Sequence, residues 1–138
     1  MTKQVITVKI QIHAPVEKVW SHWTDPECIK CWNQASDDWH TTKAENDLTV
    51  GGKFLSRMEA KDGSFGFDFE GIYNSIEPLK KIEYTLSDGR KVFISFVGDQ
   101  KSTTIFESFE AENENSLELQ EQGWQAILNH FKLYTETH

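Results

Sequence analysis

Two cysteines three positions apart are the first residues in this sequence whose spacing could support chemistry. Cys28 and Cys31 form a C-x-x-C motif. A redox pair needs a helix N-terminus that lowers the pKa of a thiol, and Asp25-Pro26 is typical of such a helix start. A zinc site needs two further ligands, for which His22 and His40 are the nearest candidates. The third interpretation is two incidental helix cysteines, and we predict neither a metal nor a cofactor.

The other polar residues match no catalytic motif. The five histidines show no spacing that would pair a nucleophile with a base. The sequence contains no G-x-S-x-G element, no glycine loop that would cradle a phosphate and no paired-carboxylate motif. These patterns favour a non-catalytic protein, and we predict no catalytic residue.

Four charged residues fall in segments that are typical of strands, and the sequence does not fix which face each one occupies. They are Arg57, Asp68, Glu70 and Glu107. Solvent is the usual environment for such side chains. A charge that pointed into the protein would need a partner, and it would orient the polar end of an apolar ligand. The pair we predict is Arg57 with Glu70.

Aromatic residues make up 12% of the sequence, with nine Phe and five Trp. They could fill an ordinary core, or they could form the wall of a ligand-binding cavity. The residues predicted to bind a ligand are Trp20, Phe54, Arg57, Met58, Phe67, Phe69, Tyr73, Tyr84, Phe93, Phe106, Trp124, Ile127, Leu128 and Phe131. Among them, Arg57 and Tyr73 are the expected polar contacts, because Arg suits a carboxylate and Tyr offers a hydroxyl group on an apolar body.

One long amphipathic segment, residues 116–137, is the element that must position these side chains. A helix of about 20 residues is about 30 Å long. Its predicted apolar stripe, at helical spacing, contains Trp124, Ile127, Leu128 and Phe131. Gly123 costs a helix interior about 1 kcal/mol relative to Ala. We therefore expect Gly123 to let a strand or the ring of Trp20 pack close to the helix.

The remaining segments predict one strand, two short helices and about six further strands. Pro15 and Pro26 are typical of first helical positions, and Asp88-Gly89 is typical of a hairpin turn. Gly71 lies on the aromatic side of its strand, which indicates a bend or a bulge. This order predicts an α+β fold in which a curved antiparallel β-sheet wraps around a long C-terminal α-helix, with two short helices after the first strand.

The composition limits the possible functions. A length of 138 residues fits one domain, 1–138. Asp and Glu outnumber Lys and Arg by 22 to 14, and the resulting net charge of −8 argues against nucleic acid or an anionic membrane as the main partner. No apolar run approaches the length of a membrane span, and the N-terminus lacks the pattern of a signal peptide. We predict a cytoplasmic protein.

Short motifs along nearly the whole chain resemble those of the SRPBCC superfamily, also called START-like or Bet v 1-like. The motifs are residues 12–20 (IHAPVEKVW), 25–32 (DPECIKCW), 50–54 (VGGKF), 62–63 (DG), 71–78 (GIYNSIEP) and 123–124 (GW). Within the superfamily, the chain is similar to the branch named after the C-terminal domain of the activator of Hsp90 ATPase, as a single-domain, bacterial-type member. The resemblance implies a helix-grip fold with a deep, largely apolar cavity between the sheet and the long helix. It implies no single activity, because one fold serves many functions.

Three functions are compatible with this resemblance. The favoured one is a non-catalytic binding protein that holds a small apolar or amphipathic molecule in the cavity. The second is a chaperone-associated protein that acts on Hsp90, and the third is a cyclase or hydrolase that uses the same cavity. An ionisable residue inside the cavity would favour the third. The expected partners are a small molecule and a possible protein, with no nucleic acid, no stable membrane insertion, and a monomer or weak homodimer.

Overall fold

A computed structural model describes residues 4–138. Seven strands of this part form one antiparallel sheet in the order β1-β7-β6-β5-β4-β3-β2. The result is the expected helix-grip α+β fold, a curved sheet with a long C-terminal helix and two short helices after the first strand. In chain order the elements are β1 Val5–Ile12, α1 Val16–Thr24, α2 Pro26–Trp32, β2 Trp39–Asn46, β3 Lys53–Ala60, β4 Gly66–Glu77, β5 Lys81–Leu86, β6 Lys91–Gly98, β7 Thr103–Glu110 and α3 Leu117–Thr137.

Side-chain caps fix where two of the helices begin. The Asp25 side chain accepts a hydrogen bond from the backbone N–H of Glu27 at 2.9 Å, and Pro26 occupies the first turn of α2. At α3, the Ser116 hydroxyl accepts from the backbone N–H of Leu119 at 3.1 Å. Such bonds satisfy backbone donors that the first turn of a helix leaves free. Both helix starts therefore follow from the local sequence.

Gly71 in β4 makes room for an aromatic ring. A Cβ atom at this position would lie 2.6 Å from the backbone oxygen of Thr85 and 3.0 Å from two ring carbons of Phe54. The strand does contain an irregularity, but the register with β5 shifts between Tyr73 and Ser75 and not at Gly71. The glycine therefore allows the Phe54 ring to lie flat against the inner face of the sheet.

The C-terminal half of α3 packs tightly on the sheet and on the two short helices. Leu128 and Phe131 are fully buried there. The Phe131 ring meets Trp23 and Trp32 edge-on, with ring centroids 5.0 and 4.9 Å apart. We call this region, where α3 meets β1, β6, β7, α1 and α2, the filled half. Within residues 4–138, no helix combines the length and the apolar character that a bilayer crossing requires.

The two edge strands of the sheet, β1 and β2, differ in what meets their outer backbone groups. Along β1, polar side chains of α3 reach the outward backbone groups of the strand. Gln125 Nε2 donates to the Lys9 carbonyl at 3.0 Å, and Lys132 Nζ donates to the Gln11 carbonyl at 2.7 Å. Just after β1, the backbone N–H of His13 donates to the Glu136 carboxylate at 2.8 Å. At the other edge, the register of β2 with β3 is broken between residues 41 and 43.

Candidate functional site

A cavity of about 620 Å³ lies beneath the N-terminal half of α3, over the inner face of β3, β4 and β5. This volume falls in the range of about 300–1,000 Å³ that is typical of small-molecule sites. The inner wall is mostly aromatic and aliphatic, and a small number of polar groups interrupt it. We call the region around this cavity, formed by the N-terminal half of α3, by β2–β5 and by Glu107 of β7, the open half.

Eight of the fourteen residues predicted to bind a ligand line the cavity. The periodicities of α3 and of strands β3 to β5 place them on facing surfaces. They are Phe54, Met58, Phe67, Phe69, Tyr73, Tyr84, Trp124 and Ile127. Trp124 is also anchored from behind, since its ring stacks on Phe109 with centroids 3.9 Å apart and an angle of 10° between the planes.

Of the other predicted residues, Leu128 and Phe131 belong to the packed core, and the partly buried Trp20 packs against it. Leu128 and Phe131 lie in the filled half with no exposed surface. The ring of Trp20 meets Phe96 edge-on at 5.2 Å. These side chains occupy the interior, as expected of the helix stripe, but they do not reach the cavity.

Phe93 and Phe106 do not face the helix, and this prediction is corrected. Their side chains are 40% and 38% exposed on the outer face of the sheet. Alternation along β6 buries Val92 and Ile94, so the ring between them must point outward. The same alternation along β7 buries Ile105 on the inner side and leaves Phe106 outside.

Arg57 also lies outside the cavity, and its predicted partner is wrong. The strand register places Asp68 opposite Arg57 and places Glu70 opposite Leu55. The guanidinium binds Glu59 at 3.0 Å and Asp68 at 3.2 Å instead. Its neighbours Ser56 and Met58 face the cavity, so Arg57 points to the opposite face of β3 and cannot meet a carboxylate inside the cavity.

Gly123 opens the cavity and does not serve close packing, contrary to our expectation. A Cβ atom built on Gly123 would meet no atom within 4 Å. The residue lines the cavity from the inner face of α3, directly before Trp124. A larger side chain at position 123 would project into the cavity.

Glu107 is the central polar residue of the site. It lies on β7 and is only 4% exposed, and its carboxyl group reaches the cavity. Burial raises the pKa of this carboxyl to about 8, because a low-polarity environment disfavours the charged form. The group is therefore mostly protonated at neutral pH when the cavity is empty. The sequence contained a usable signal, since Glu107 alternates in step with the buried residues Ile105 and Phe109.

Two tyrosines extend this polar end of the cavity. The Tyr73 hydroxyl donates a hydrogen bond to Asn46 Oδ1 at 2.5 Å, and burial raises the pKa of its phenol. Tyr84 is fully enclosed, and its pKa is raised by burial and further by the nearby carboxyl of Glu107. Both phenols are neutral across the physiological range, so Tyr84 presents a hydroxyl group beside the Glu107 carboxyl.

Polar residues of two connections frame the rim of the cavity. Gln120 holds the connection from β7 to α3, because its Nε2 donates to the carbonyls of Glu112 and Asn115 at 3.1 and 2.9 Å. Glu112 lines the cavity from this connection. Arg90 lines it from the turn between β5 and β6, and its Nε bonds Asp88 Oδ2 at 2.8 Å.

The rim also carries exposed rings near the turn between β3 and β4. Phe65 is 62% exposed, and the centroid of its ring lies 6.0 Å from that of the Trp39 ring. Phe67 lies 5.9 Å from the same indole. The short helices add Ile29 and Trp32 to the deeper wall. The sequence alone could not place these two residues at the cavity, because that depends on how α2 packs.

The C-x-x-C motif lies apart from the cavity. Cys28 and Cys31 are free thiols, and the Cys31 thiol contacts the Glu27 carbonyl at 3.4 Å. A hydrogen bond with Cys28 is the main reason why the pKa of the Tyr134 phenol is raised. His22 bonds the hydroxyl of Thr135. Among residues 4–138, no three side chains of the His, Cys, Asp and Glu types are placed to hold a metal ion.

Comparison with known proteins identifies the family. The sequence model of the family described as activator of Hsp90 ATPase homolog 1-like protein matches residues 13–136. The chain belongs to this family. Among curated proteins, none matches the chain.

Solved structures agree with the assignment. An AHSA1-like protein from Aeromonas hydrophila is 42% identical with a TM-score of 0.90, and the match covers 97% of this chain and 93% of that one. A protein from Cytophaga hutchinsonii is 52% identical with a TM-score of 0.83, covering 96% and 92% of the two chains. A protein from Nitrosomonas europaea shares the fold at 18% identity, with a TM-score of 0.81 and coverage of 96% and 94%.

Proposed function

We propose that this member of the family binds a small, largely apolar molecule in the cavity of the open half. The observation that carries the proposal is a cavity of about 620 Å³ with a mostly apolar inner wall, in a protein whose other half is tightly packed. Interiors are normally packed with few voids larger than a water molecule. A space of this size, lined by rings and a few polar groups, is typical of a ligand site.

The walls supply the driving force for binding. Removing apolar surface from water contributes roughly 25 cal/mol per Å², less the cost of association. The polar end of the ligand would meet the carboxyl of Glu107 and the hydroxyl of Tyr84, which lie on neighbouring parts of the cavity wall. Arg57 has no part in this contact, whereas Tyr73 remains a polar lining residue.

Glu107 also supports a second candidate function, acid–base catalysis. A carboxyl group with a pKa near neutrality is the type of residue that general acid–base enzymes use. A cyclase or hydrolase would need further groups to act on the substrate together with this one. Binding requires only the cavity and its polar end, so we prefer the binding function. Action on Hsp90 is a proposal that rests on the family name.

The direct test uses N-phenyl-1-naphthylamine, a neutral apolar probe whose fluorescence rises in apolar surroundings. We expect the wild-type protein to bind the probe and to melt at a higher temperature with it. Gly123→Phe should abolish both effects, because the new ring would occupy the cavity. Gln122→Phe is the matched control, since this neighbouring side chain on α3 is exposed and the added ring would lie in solvent.

Circular dichroism would verify that both variants are folded. Equal binding of the probe by wild type and Gly123→Phe would overturn the proposal. Native mass spectrometry of freshly purified protein would detect a copurified ligand, and it would test the predicted monomer or weak homodimer in the same spectrum.

A further inference from the structure

We infer that the cavity selects a hydrophobic cation, an organic ammonium ion whose charged group lies against Glu107 and whose apolar part extends toward Gly123. The inference rests on the proposed function and deepens it by naming the chemical class of the ligand. Three features of the described residues support it: an unpaired carboxyl, an excess of acidic groups and a wall of aromatic rings.

The first feature is that Glu107 lacks an ionic partner. Ionisable side chains are rarely buried unless they are paired. Glu107 is 4% exposed, and burial alone accounts for its altered pKa. No ion pair with a Lys, Arg or His of residues 4–138 involves its carboxylate. An ammonium group in the cavity would supply the missing charge.

The second feature is the set of ionisable groups that line the cavity together with Glu107. Besides Glu107 itself, the lining acids are Glu112 and Glu114 on the connection before α3 and Glu45 on β2, which pairs with Lys43 at 3.1 Å. Arg90 is the lining cation in this part of the chain, and it is engaged by Asp88. Tyr73 on β4 and Tyr84 on β5 are neutral.

Within residues 4–138, the side chains that α1, α2 and α3 contribute to the cavity wall include no ionisable group. Acidic groups therefore outnumber basic ones around the cavity, in a protein with a net charge of −8. Glu112 and Glu114 lie at the rim, where they place negative potential at the mouth of the cavity. The field attracts a cation and disfavours a fatty-acid carboxylate.

The third feature is the aromatic wall. The rings of Phe54 and Tyr84 meet edge-on with centroids 4.6 Å apart, and the Phe69 ring on β4 meets the Trp124 ring on α3 edge-on at 6.2 Å, so rings from the sheet and the helix form a continuous part of the wall. A cation within about 6 Å of a ring centroid is attracted by the negative face of the ring, and quaternary ammonium groups are bound in this way. An alcohol of the same length gains apolar burial but not this attraction.

Binding of a cation must be coupled to loss of a proton from Glu107. With the cavity empty, the carboxyl titrates near pH 8, so at pH 6 a cation can form the ion pair only if the proton leaves. Affinity for the cation should therefore rise with pH and level off above about pH 8. Affinity for a neutral ligand should change little over the same range.

The test compares three probes of equal chain length: octyltrimethylammonium, octanol and octanoate. The quaternary ammonium keeps its charge at every pH, so only the protein titrates. By calorimetry we expect the ammonium to bind at least tenfold more tightly than octanol at pH 8, and octanoate to bind most weakly. Between pH 6 and 8, affinity for the ammonium should rise up to about tenfold per pH unit, with proton release.

Glu107→Gln should bring the affinity for the ammonium down to the affinity for octanol and should remove its pH dependence. Glu70→Gln, which alters an exposed carboxyl outside the cavity lining, is the control and should behave as wild type. Octanol binding without a preference for the ammonium, or a preference that survives Glu107→Gln, would overturn the inference alone. Failure of all three probes to bind would overturn the proposed function and the inference with it. If Glu107→Gln does not fold, the pH dependence of ammonium binding by the wild type tests the inference, and an affinity that stays constant from pH 6 to 8 would overturn it.

Discussion

At its C-terminal end α3 lies against closely fitted rings, whereas at its N-terminal end it faces open space. The filled half brings Phe131 between two tryptophans at centroid distances of 5.0 and 4.9 Å. In the open half, Gly123 has no neighbour within 4 Å of its Cβ direction, above a cavity of about 620 Å³. One helix and one sheet thus form both regions.

This difference indicates that one part of the interface between α3 and the sheet stabilises the fold, while the other part is free to bind a ligand. Close packing in the filled half gives each side chain many dispersion contacts. The open half forgoes those contacts, and a cavity in a protein costs stability. Truncating a side chain in the filled half should therefore lower the free energy of unfolding, whereas adding a small group in the open half should raise it.

The largest expected effect is in the filled half. Phe131→Ala should lower the free energy of unfolding by about 3–5 kcal/mol, the range for a large buried aromatic residue. Denaturation by urea would measure the change. Phe93→Ala is the control, because this ring is exposed on the outer face, and we expect a loss under about 0.5 kcal/mol. Similar losses in both variants would show that the filled half has no special role in stability.

A pH-dependent effect is expected from the open half. The pKa of Glu107 is about 8 in the folded state against 4.5 as its ordinary value. Between these values the folded state holds the proton more tightly, so stability is lost as the pH rises through this interval. The loss attributable to Glu107 from pH 5 to 8 should be on the order of 2–4 kcal/mol, at up to about 1.4 kcal/mol per pH unit.

Measuring urea unfolding of the wild type and Glu107→Gln across this range isolates the effect, because other groups contribute equally to both proteins. The advantage of the variant over the wild type should grow with pH. A difference that stays constant from pH 5 to 8 would mean that Glu107 is already ionised in the folded protein.

The smallest effect should have the opposite sign from that of Phe131→Ala. Gly123→Ala should raise the free energy of unfolding by about 1 kcal/mol, since Ala suits a helix interior better than Gly and the added methyl meets open space. Thermal and urea denaturation would measure the gain. A loss of stability would mean that a neighbouring group closes over Gly123 in solution.

The fold was largely predictable because its elements have strong local signals. The 3.6-residue period of residues 116–137 gave α3, and the Asp25 and Ser116 side chains mark two helix starts. Alternation fixed the inner faces of β3, β4 and β5, and together with the helical period of α3 this brought eight predicted residues to the cavity. These features depend only on residues that are close in sequence.

The errors arise where long-range geometry decides. Phe93 lies in a strand segment that is apolar on both faces, so alternation alone could not orient its ring. The partner of Arg57 depends on strand register, which pairs it with Asp68. Gly123 looks the same in sequence whether it permits close packing or leaves a space. Glu107 was recognised as a candidate, but only the packed structure shows that its carboxyl is enclosed.

The hydrogen bonds from α3 to β1 have a further consequence for how the protein behaves at high concentration. A bare edge strand can pair with the edge of another molecule and begin aggregation. Gln125, Lys132 and Glu136 occupy the outward backbone groups at Lys9, Gln11 and His13, so a second sheet could add there only by displacing them. The helix that covers the cavity thus also shields the β1 edge of the sheet from intermolecular strand addition.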